Sequence, residues 1–557
     1  MAVAHKASVK TEAGTSVGHD RVAQNSAGSA GRVNTDVAIL GGGLAGLTLA
    51  QQISNANPDL DICVLEKNRF PVPEKTAKVG ESTVEIGSRY LKTTLGMEQH
   101  FAERHLRKHG LRCFFGGPQQ DFCQQDELGV SELFGIPTYQ IDRGAIENHL
   151  RNSLSARGIS IFDGAQISDV NISKNDKLVV ASRGGETVKI KGHWLIDSAG
   201  RRNVLKSALD LSRDNDHNGN AVWFRIDRQI KIDDWTEDRS WQDRIVEPQT
   251  RWLSTNHLMG PGYWVWIIPL DNGATSFGIV MDDEAFCRAD FSNYEGMMTW
   301  LRDRHPICAE EVAKGELLDY VCLRNYSHSC KQLFSDQGWG ITGEAGVFAD
   351  PFYSPGSDFI AFGNTFITDL VSRWRSGEDV RIQTRVYDRV YQSFFASTLS
   401  LYQGNYGGFG DRRMMSLKLV WDYAYYWGVL AVLFFREVLT DSQLMREISP
   451  PLQKVQALNV AVQDRFRLRA KMRAVQPARG LFINQYQVPC LRDLSARLER
   501  PSGGCASSVK EELLENCALL ERLALHIGNL LFDDSIQPIC AEELALLGEY
   551  RHSVLAA

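Results

Sequence analysis

Apolar residues along this chain fall into three distinct patterns. Two short continuous runs, VAIL at 37–40 and ICVL at 62–65, flank LTLAQQI at 47–53, which has the three-to-four-residue spacing of a helix. Strand, glycine turn (Gly41 to Gly46), helix and strand are therefore predicted in that order. Over 158–198 the apolar residues shorten into GISIF, DVNI, KLVVAS and TVKIKGHWLIDSAG, divided by polar turns. These predict strands that complete the same sheet and return to a turn at Asp197 to Gly200. Over 219–282 the runs AVWFRI, RWLSTNHL, YWVWIIPL and TSFGIVM predict a second, mixed or antiparallel sheet. Helices follow at about 290–315. At 338–370 a strand-like GITG, an acid, a loop and a long helix repeat the logic of the opening stretch. From about 380 the pattern is helical and amphipathic, with breaks expected at Pro450-Pro451 and at 500–505.

The connections supply the remaining elements. Pro71 and Pro73 predict an extended loop, Gly80-Glu81-Ser82 a turn, and a helix is expected to begin near Thr83. Leu111 to Phe115 reads as a strand with Lys108 just before it, residues 118–132 as a polar loop, and Arg143 as the opening of a helix. The implied fold is α/β: a Rossmann-like dinucleotide-binding domain over 34–380 with a β-rich insertion at about 215–290, followed by a helical C-terminal region over 381–557. The first 33 residues, rich in Ala, Ser, Gly and Thr without an apolar block, read as a disordered leader and not a signal peptide.

Composition narrows the function classes more than the fold. A net charge of −7 gives no reason to expect nucleic acid as a partner. The 11 cysteines contain no CxxC pair, which argues against a zinc site or a disulfide framework and for a reducing cytoplasm. YAYYWGVLAVLFF at 423–435 ends at once on Arg436 and Glu437 and is too short to span a bilayer, so a buried helix is expected and stable membrane insertion is not.

The chemistry begins in the glycine turn. Gly41, Gly43, Ala45 and Gly46 lie between a strand and a helix N-terminus, where small residues let a backbone approach a pyrophosphate and free N–H groups hold it. Glu66, twenty residues past Gly46, closes the next strand, where an acid meets a ribose hydroxyl. Gly356 and Gly363 in the later repeat of this logic also permit close backbone approach to a ligand.

Together these stretches resemble the flavin-dependent halogenases, within the flavoproteins of glutathione-reductase and p-hydroxybenzoate-hydroxylase type. The resemblance covers roughly 34–370. GGGLAG with Glu66 resembles the first FAD motif, and GEAGVFADP the second, with Gly343, Glu344, Asp350 and Pro351 as cofactor residues. Ser82 and Arg143 complete the implied cofactor set. Trp264-Val265-Trp266-Ile267-Ile268-Pro269 fits the family's WxWxIP signature, whose tryptophans are implied to sit near the flavin. Lys108 stands where these enzymes carry their essential lysine, which holds and aims hypohalous acid made from chloride or bromide, FADH2 and O2. The catalytic set implied is Lys108, Trp264, Trp266 and Ser354.

Two positions depart from the pattern. Tyr353 stands where members acting on free tryptophan carry Glu, so a different electron-rich aromatic, free or carrier-bound, is implied. Pro355 has no N–H to offer a halide, which moves the expected halide site to Ser354 with the amides of Gly356 and Ser357, aided by the following helix N-terminus. No second nucleotide fingerprint appears, so the resemblance implies FADH2 from a separate flavin reductase. An FAD monooxygenase on the same scaffold and a non-enzymatic flavoprotein of an assembly line are the alternatives.

Overall fold

The computed structural model describes residues 32–75, 78–173, 177–500 and 506–532. The leader expected over 1–33 lies outside these residues except for Arg32 and Val33, which already belong to the first strand. That strand, β1 (Arg32–Leu40), leads through the glycine turn into α1 (Leu44–Ala56), and β2 (Ile62–Leu65) follows. β1 lies parallel between β2 and the strand Glu186–Asp197, with Leu40 level with both Leu65 and Asp197. Three strand ends thus finish at one level, where an open parallel sheet binds its ligand. Val37, Ala38, Ile39 and Leu40 are all fully buried, as expected of a strand covered on both faces. The sheet has eight strands, extended by Trp339–Ile341 and Phe334–Ser335 on one side and by Ser160–Phe162 on the other.

After a short helix, α2 (Glu85–Arg89), come β3 (Leu106–Lys108) and β4 (Leu111–Phe115). The second eight-stranded sheet contains the strands expected at 219–282, and also draws in β4, Asp126–Gly129, Leu317–Leu323 and Phe482–Asn484. Alternation across the strand Tyr263–Pro269 explains its composition. Trp264, Trp266 and Ile268 join the core shared with the first sheet, whereas Val265 and Ile267 join a second core under the helices Tyr294–Arg304 and Pro306–Ala313.

Two expectations need correcting. The polar loop at 118–132 contains the strand Asp126–Gly129, buried throughout. Its acids are neutralised inside the protein, Glu127 by Arg112 and Arg251 and Asp126 by Arg412, a pairing that pattern reading cannot see. Lys108 lies just before β4, as expected, and ends a short strand of its own, β3, which pairs with Thr138–Gln140. Pro450 and Pro451 do not break the tail: the helix Ser442–Ala470 runs through them, held by the buried Leu444, Ile448 and Val455 on either side. The other break, at 500–505, lies outside the described residues apart from Arg500.

The 423–435 stretch is a buried helical segment, as expected. Arg412–Tyr425 continues through a wider turn at Tyr426–Ala431 into Val432–Phe435, and among the described residues no helix is long and apolar enough to cross a membrane.

Candidate active site

The ends of the three parallel strands open onto a cleft of about 600 Å³ between the two sheets. Gly41 adopts φ +106°, and a Cβ there would meet Ser198 O at 2.5 Å, so only glycine fits. Gly43 faces open space and precedes α1 without a side-chain cap, which leaves the first amides of that helix free toward the cleft. The Glu66 carboxylate accepts from Gly42 N at 2.8 Å and Asn68 N at 2.9 Å. Each of its oxygens keeps a lone pair for a hydroxyl. Free helix amides, a glycine cradle and an acid one strand away form a donor set that fits an adenine dinucleotide.

Of the residues that the resemblance assigned to cofactor, catalysis or halide, all but two line this cleft: Gly41, Gly43, Ala45, Glu66, Ser82, Arg143, Trp264, Trp266, Gly343, Glu344, Asp350, Pro351, Ser354, Gly356 and Ser357. Gly363, also expected to approach a ligand, lies away from the cleft wall and packs against Thr342. Gly46 sits behind the wall, where a Cβ would meet Gly41 O at 2.0 Å. Arg143 donates to Val79 O at 2.6 Å and to Glu147 at 2.8 Å. Glu344 pairs with Arg201 at 3.4 Å.

Asp350 differs from expectation. Its carboxylate accepts from Tyr406 at 2.6 Å, Tyr326 at 2.7 Å and His217 at 2.8 Å, and from Phe352 N at 2.9 Å. It is committed to holding the loop rather than to a ligand. Tyr406 is in turn the acceptor for Trp264 Nε1 at 3.0 Å, so the acid and the tryptophan share one network. Trp266 donates to Ser276 at 3.3 Å. His257, whose ring lies 5.3 Å from that of Trp264, is pushed down to a pKa of about 3 by burial and is neutral.

Lys108 is the other assigned residue absent from the cleft wall. It is buried one side chain behind, where Nζ donates to Ser82 Oγ at 3.0 Å and to Thr83 O at 3.1 Å. Burial lowers its pKa to about 8, opposed by the charges of Glu85 and Asp358. A second cavity of about 60 Å³ is lined by Val84, Tyr353, Asp358, Tyr402, Asp422, Tyr423 and Tyr426 among others. Pro355 and Phe359 border both spaces. Lys108 lines neither space but is linked to a residue of each, to Ser82 of the cleft by a hydrogen bond and to Asp358 of the small cavity by charge. Buried Asp358 accepts from Gly87 N at 2.8 Å and Tyr426 at 2.9 Å, and desolvation raises its pKa to about 8.

The expected halide residues meet at the start of the helix Gly356–Arg375. Pro355 is its N-cap, so its missing N–H falls outside the helix and deprives no turn of a bond. Among the described residues the amides of Gly356 and Ser357 find no acceptor, and the buried Ser357 Oγ has no partner. Two free amides and an unpartnered hydroxyl at the positive end of a 20-residue helix suit a small anion.

Sequence reading missed Asp358, Asp422 and, apart from Tyr353, the tyrosines of the second cavity. Tyr423 and Tyr426 stand three apart in a stretch whose apolar character masked them. Asp422 pairs with Lys418 one helical turn before it, which reads as an ordinary helix ion pair, while its other partners come from 69 residues before it and 41 after it.

Residues 34–286 match the model of an FAD binding domain. The chain is 23% identical to the flavin-dependent halogenase chlA of Dictyostelium discoideum, over 71% of this chain and 70% of that one. It is 26% identical to the 1H-pyrrole-2-carbonyl-(peptidyl-carrier protein) chlorinase of Pseudomonas fluorescens, over 58% of this chain and 72% of that one. The crystal structure of halogenase PltM in complex with phloroglucinol and FAD superposes with a TM-score of 0.63 at 16% identity, covering 89% of this chain and 98% of that one.

Proposed function

This chain is a flavin-dependent halogenase, an FAD-dependent oxidoreductase, and from that premise we propose that it oxidises chloride or bromide and halogenates a small electron-rich aromatic ring. The observation that carries the reading is the place of Lys108, buried and linked both to a dinucleotide-sized cleft and to a small cavity walled by tyrosines. Bound reduced FAD, with O2, supplies the oxidising equivalent that converts halide to hypohalous acid. Gly41, Gly43 and Ala45 approach the pyrophosphate, Glu66 accepts from the ribose, and Ser82, Arg143, Gly343, Glu344 and Pro351 line the rest of the cofactor's path. Trp264 and Trp266 wall the cleft with rigid, water-excluding surface.

Halide rests on the amides of Gly356 and Ser357, with Ser354 and Ser357 Oγ beside it. Lys108 holds the hypohalous acid by an N–H not engaged by Ser82 or Thr83 and turns its halogen toward the acceptor. Hydrogen bonding to a cation draws electron density from the hypohalous oxygen and makes the halogen more electrophilic. The carbon–halogen bond forms as the halogen–oxygen bond breaks, and the hydroxide so released takes up the ring proton and leaves as water. Residues 34–380 form the cofactor body, and the helices after 381 cover the acceptor side.

The volume and aromatic lining of the second cavity favour a small free acceptor, a phenol, pyrrole or indole, over a carrier-tethered one. A separate flavin reductase supplies FADH2 by diffusion, in a reducing cytoplasm where the buried free cysteines, such as Cys63 and Cys113, stay thiols. The test is turnover with FAD, a flavin reductase, NADH and bromide against a panel of phenols, pyrroles and indoles, free and carrier-bound. Halogenated product from a free acceptor supports the proposal. Flavin oxidation without halogenated product or trappable hypohalite overturns it, and NAD(P)H-driven turnover indifferent to halide would identify a monooxygenase instead.

A further inference from the structure

Tyr353 and Ser354 are consecutive non-glycine residues in the left-handed region, at φ +69° and +56°. A bulky side chain seldom adopts this conformation, and such a turn persists only where the surroundings over-determine it. Pro355 follows directly and disfavours a right-handed helical conformation at Ser354, so the helix cannot be extended backwards to relieve the turn. The turn is held at several points: Ser354 N donates to Pro351 O at 3.0 Å and Tyr402 donates to Phe352 O at 2.8 Å. The Tyr353 ring packs against Phe352, Tyr402 and Tyr423, and its hydroxyl donates to Asp422 Oδ2 at 2.8 Å.

Asp422 is firmly placed. It lies on the helix Arg412–Tyr425, its Oδ2 receives Lys418 at 2.9 Å, and its Oδ1 accepts from Gln463 at 2.8 Å on the helix Ser442–Ala470. Lys418 also donates to Gln463 at 2.7 Å, which closes a buried three-residue network. The Lys418 ammonium lies against Asp422 Oδ2 and offsets its charge, beside the oxygen that accepts from Tyr353. Tyr353 faces the small cavity while Ser354 faces the cofactor cleft, so the turn is the partition between them.

We infer that Asp422 is a positioning residue which, through Tyr353, fixes the left-handed turn that aims Ser354 and the Gly356 and Ser357 amides at the halide. This rests on the halide site proposed above and adds that its geometry is set from the acceptor side, by the C-terminal helices. The same hydroxyl stands at the position where the resemblance led to the expectation of a proton-accepting Glu. Here the residue serves the anion rather than the ring.

The experiment titrates bromide into FAD-loaded protein by calorimetry, without turnover, for wild type, Tyr353→Phe, Asp422→Asn and the double variant. Tyr353→Phe is expected to weaken bromide binding about fivefold or more, the scale of one hydrogen bond to a charged group. In turnover it raises KM for bromide more than it lowers kcat and more than it changes KM for the acceptor. In the Tyr353→Phe background Asp422→Asn adds little further loss of bromide affinity, although it lowers thermal stability by itself. Bromide affinity within about twofold of wild type in Tyr353→Phe overturns the inference, as does an altered acceptor KM with an unaltered bromide KM. Wild-type protein that binds no bromide overturns it too. Should the bromide effects appear while no ring is halogenated, the positioning role stands and the proposed reaction falls.

Discussion

The ammonium of Lys108 donates to Ser82 Oγ at 3.0 Å, and Ser82 lies 3.1 Å from Thr255 Oγ1 across the cleft wall. A side chain from β3 is thereby tied to the turn before α2 and to the central strand of the second sheet. The lysine is fixed at its tip, and its pKa is set by the same burial that holds it.

Replacing Lys108 with Met keeps the length and removes the charge. Halogenated product should fall by at least about 100-fold, the scale of losing a group that acts only on the reacting species. FAD binding and bromide-dependent release of trappable hypohalite should persist. Loss of hypohalite along with product would place the lysine in halide oxidation instead.

The pH profile follows from the lowered pKa of about 8. Two N–H groups of Nζ are donated to Ser82 and Thr83, so the third that holds hypohalous acid exists only in the ammonium, and product formation should fall as pH rises through about 8 while hypohalite release stays flat. The stability effect has a definite sign. The folded protein disfavours the charged form, so the penalty is fully present below pH 8 and is relieved between about 8 and 10.5, where the unfolded chain binds the extra proton. Denaturant unfolding of wild type against Lys108→Met across that window should show a difference on the order of 3 kcal/mol that shrinks as pH rises.

Ser357→Ala removes the unpartnered hydroxyl at the proposed halide site. A rise of about fivefold to tenfold in KM for bromide is expected, with FAD affinity unchanged, since the lost bond is one to an anion. Gly356→Ala meets nothing within 4 Å and should leave bromide KM within about twofold, because the amide and not the side chain is what matters there. Steady-state halide titration checks both.

Gly41→Ala tests the cofactor turn. The added Cβ lies 2.5 Å from Ser198 O at φ +106°, so folding should lose roughly 2–4 kcal/mol and FAD affinity should fall with it. Retained flavin fluorescence quenching and an unchanged Tm would contradict the assignment.

Glu127→Gln tests the buried pairing under the second sheet. It leaves the guanidinium groups of Arg112 and Arg251 without their carboxylate, and unfolding should become easier by about 3–5 kcal/mol. A thermal scan of the FAD-bound protein reads this directly.

What the sequence determined is what depends on short-range order. The glycine turn, β1, α1 and β2 were legible because a strand of four apolar residues, a helix period and a glycine that alone tolerates φ +106° are local facts. Trp264, Trp266 and Ile268 were legible because alternation along one strand fixes which side chains share a face.

Tertiary structure decided everything that joins distant segments. Asp126 and Glu127 looked like loop residues because their arginine partners lie up to 286 positions away, and only pairing makes buried charge tolerable. Pro450 and Pro451 looked like a break because the packing that keeps their helix intact is not encoded beside them. The positions of the lysine, the free amides of Gly356 and Ser357 and Asp422 around one partition arise from three segments meeting in space. Periodicity carries no information about such a meeting, because each segment is stabilised by burial against partners that the local pattern does not name.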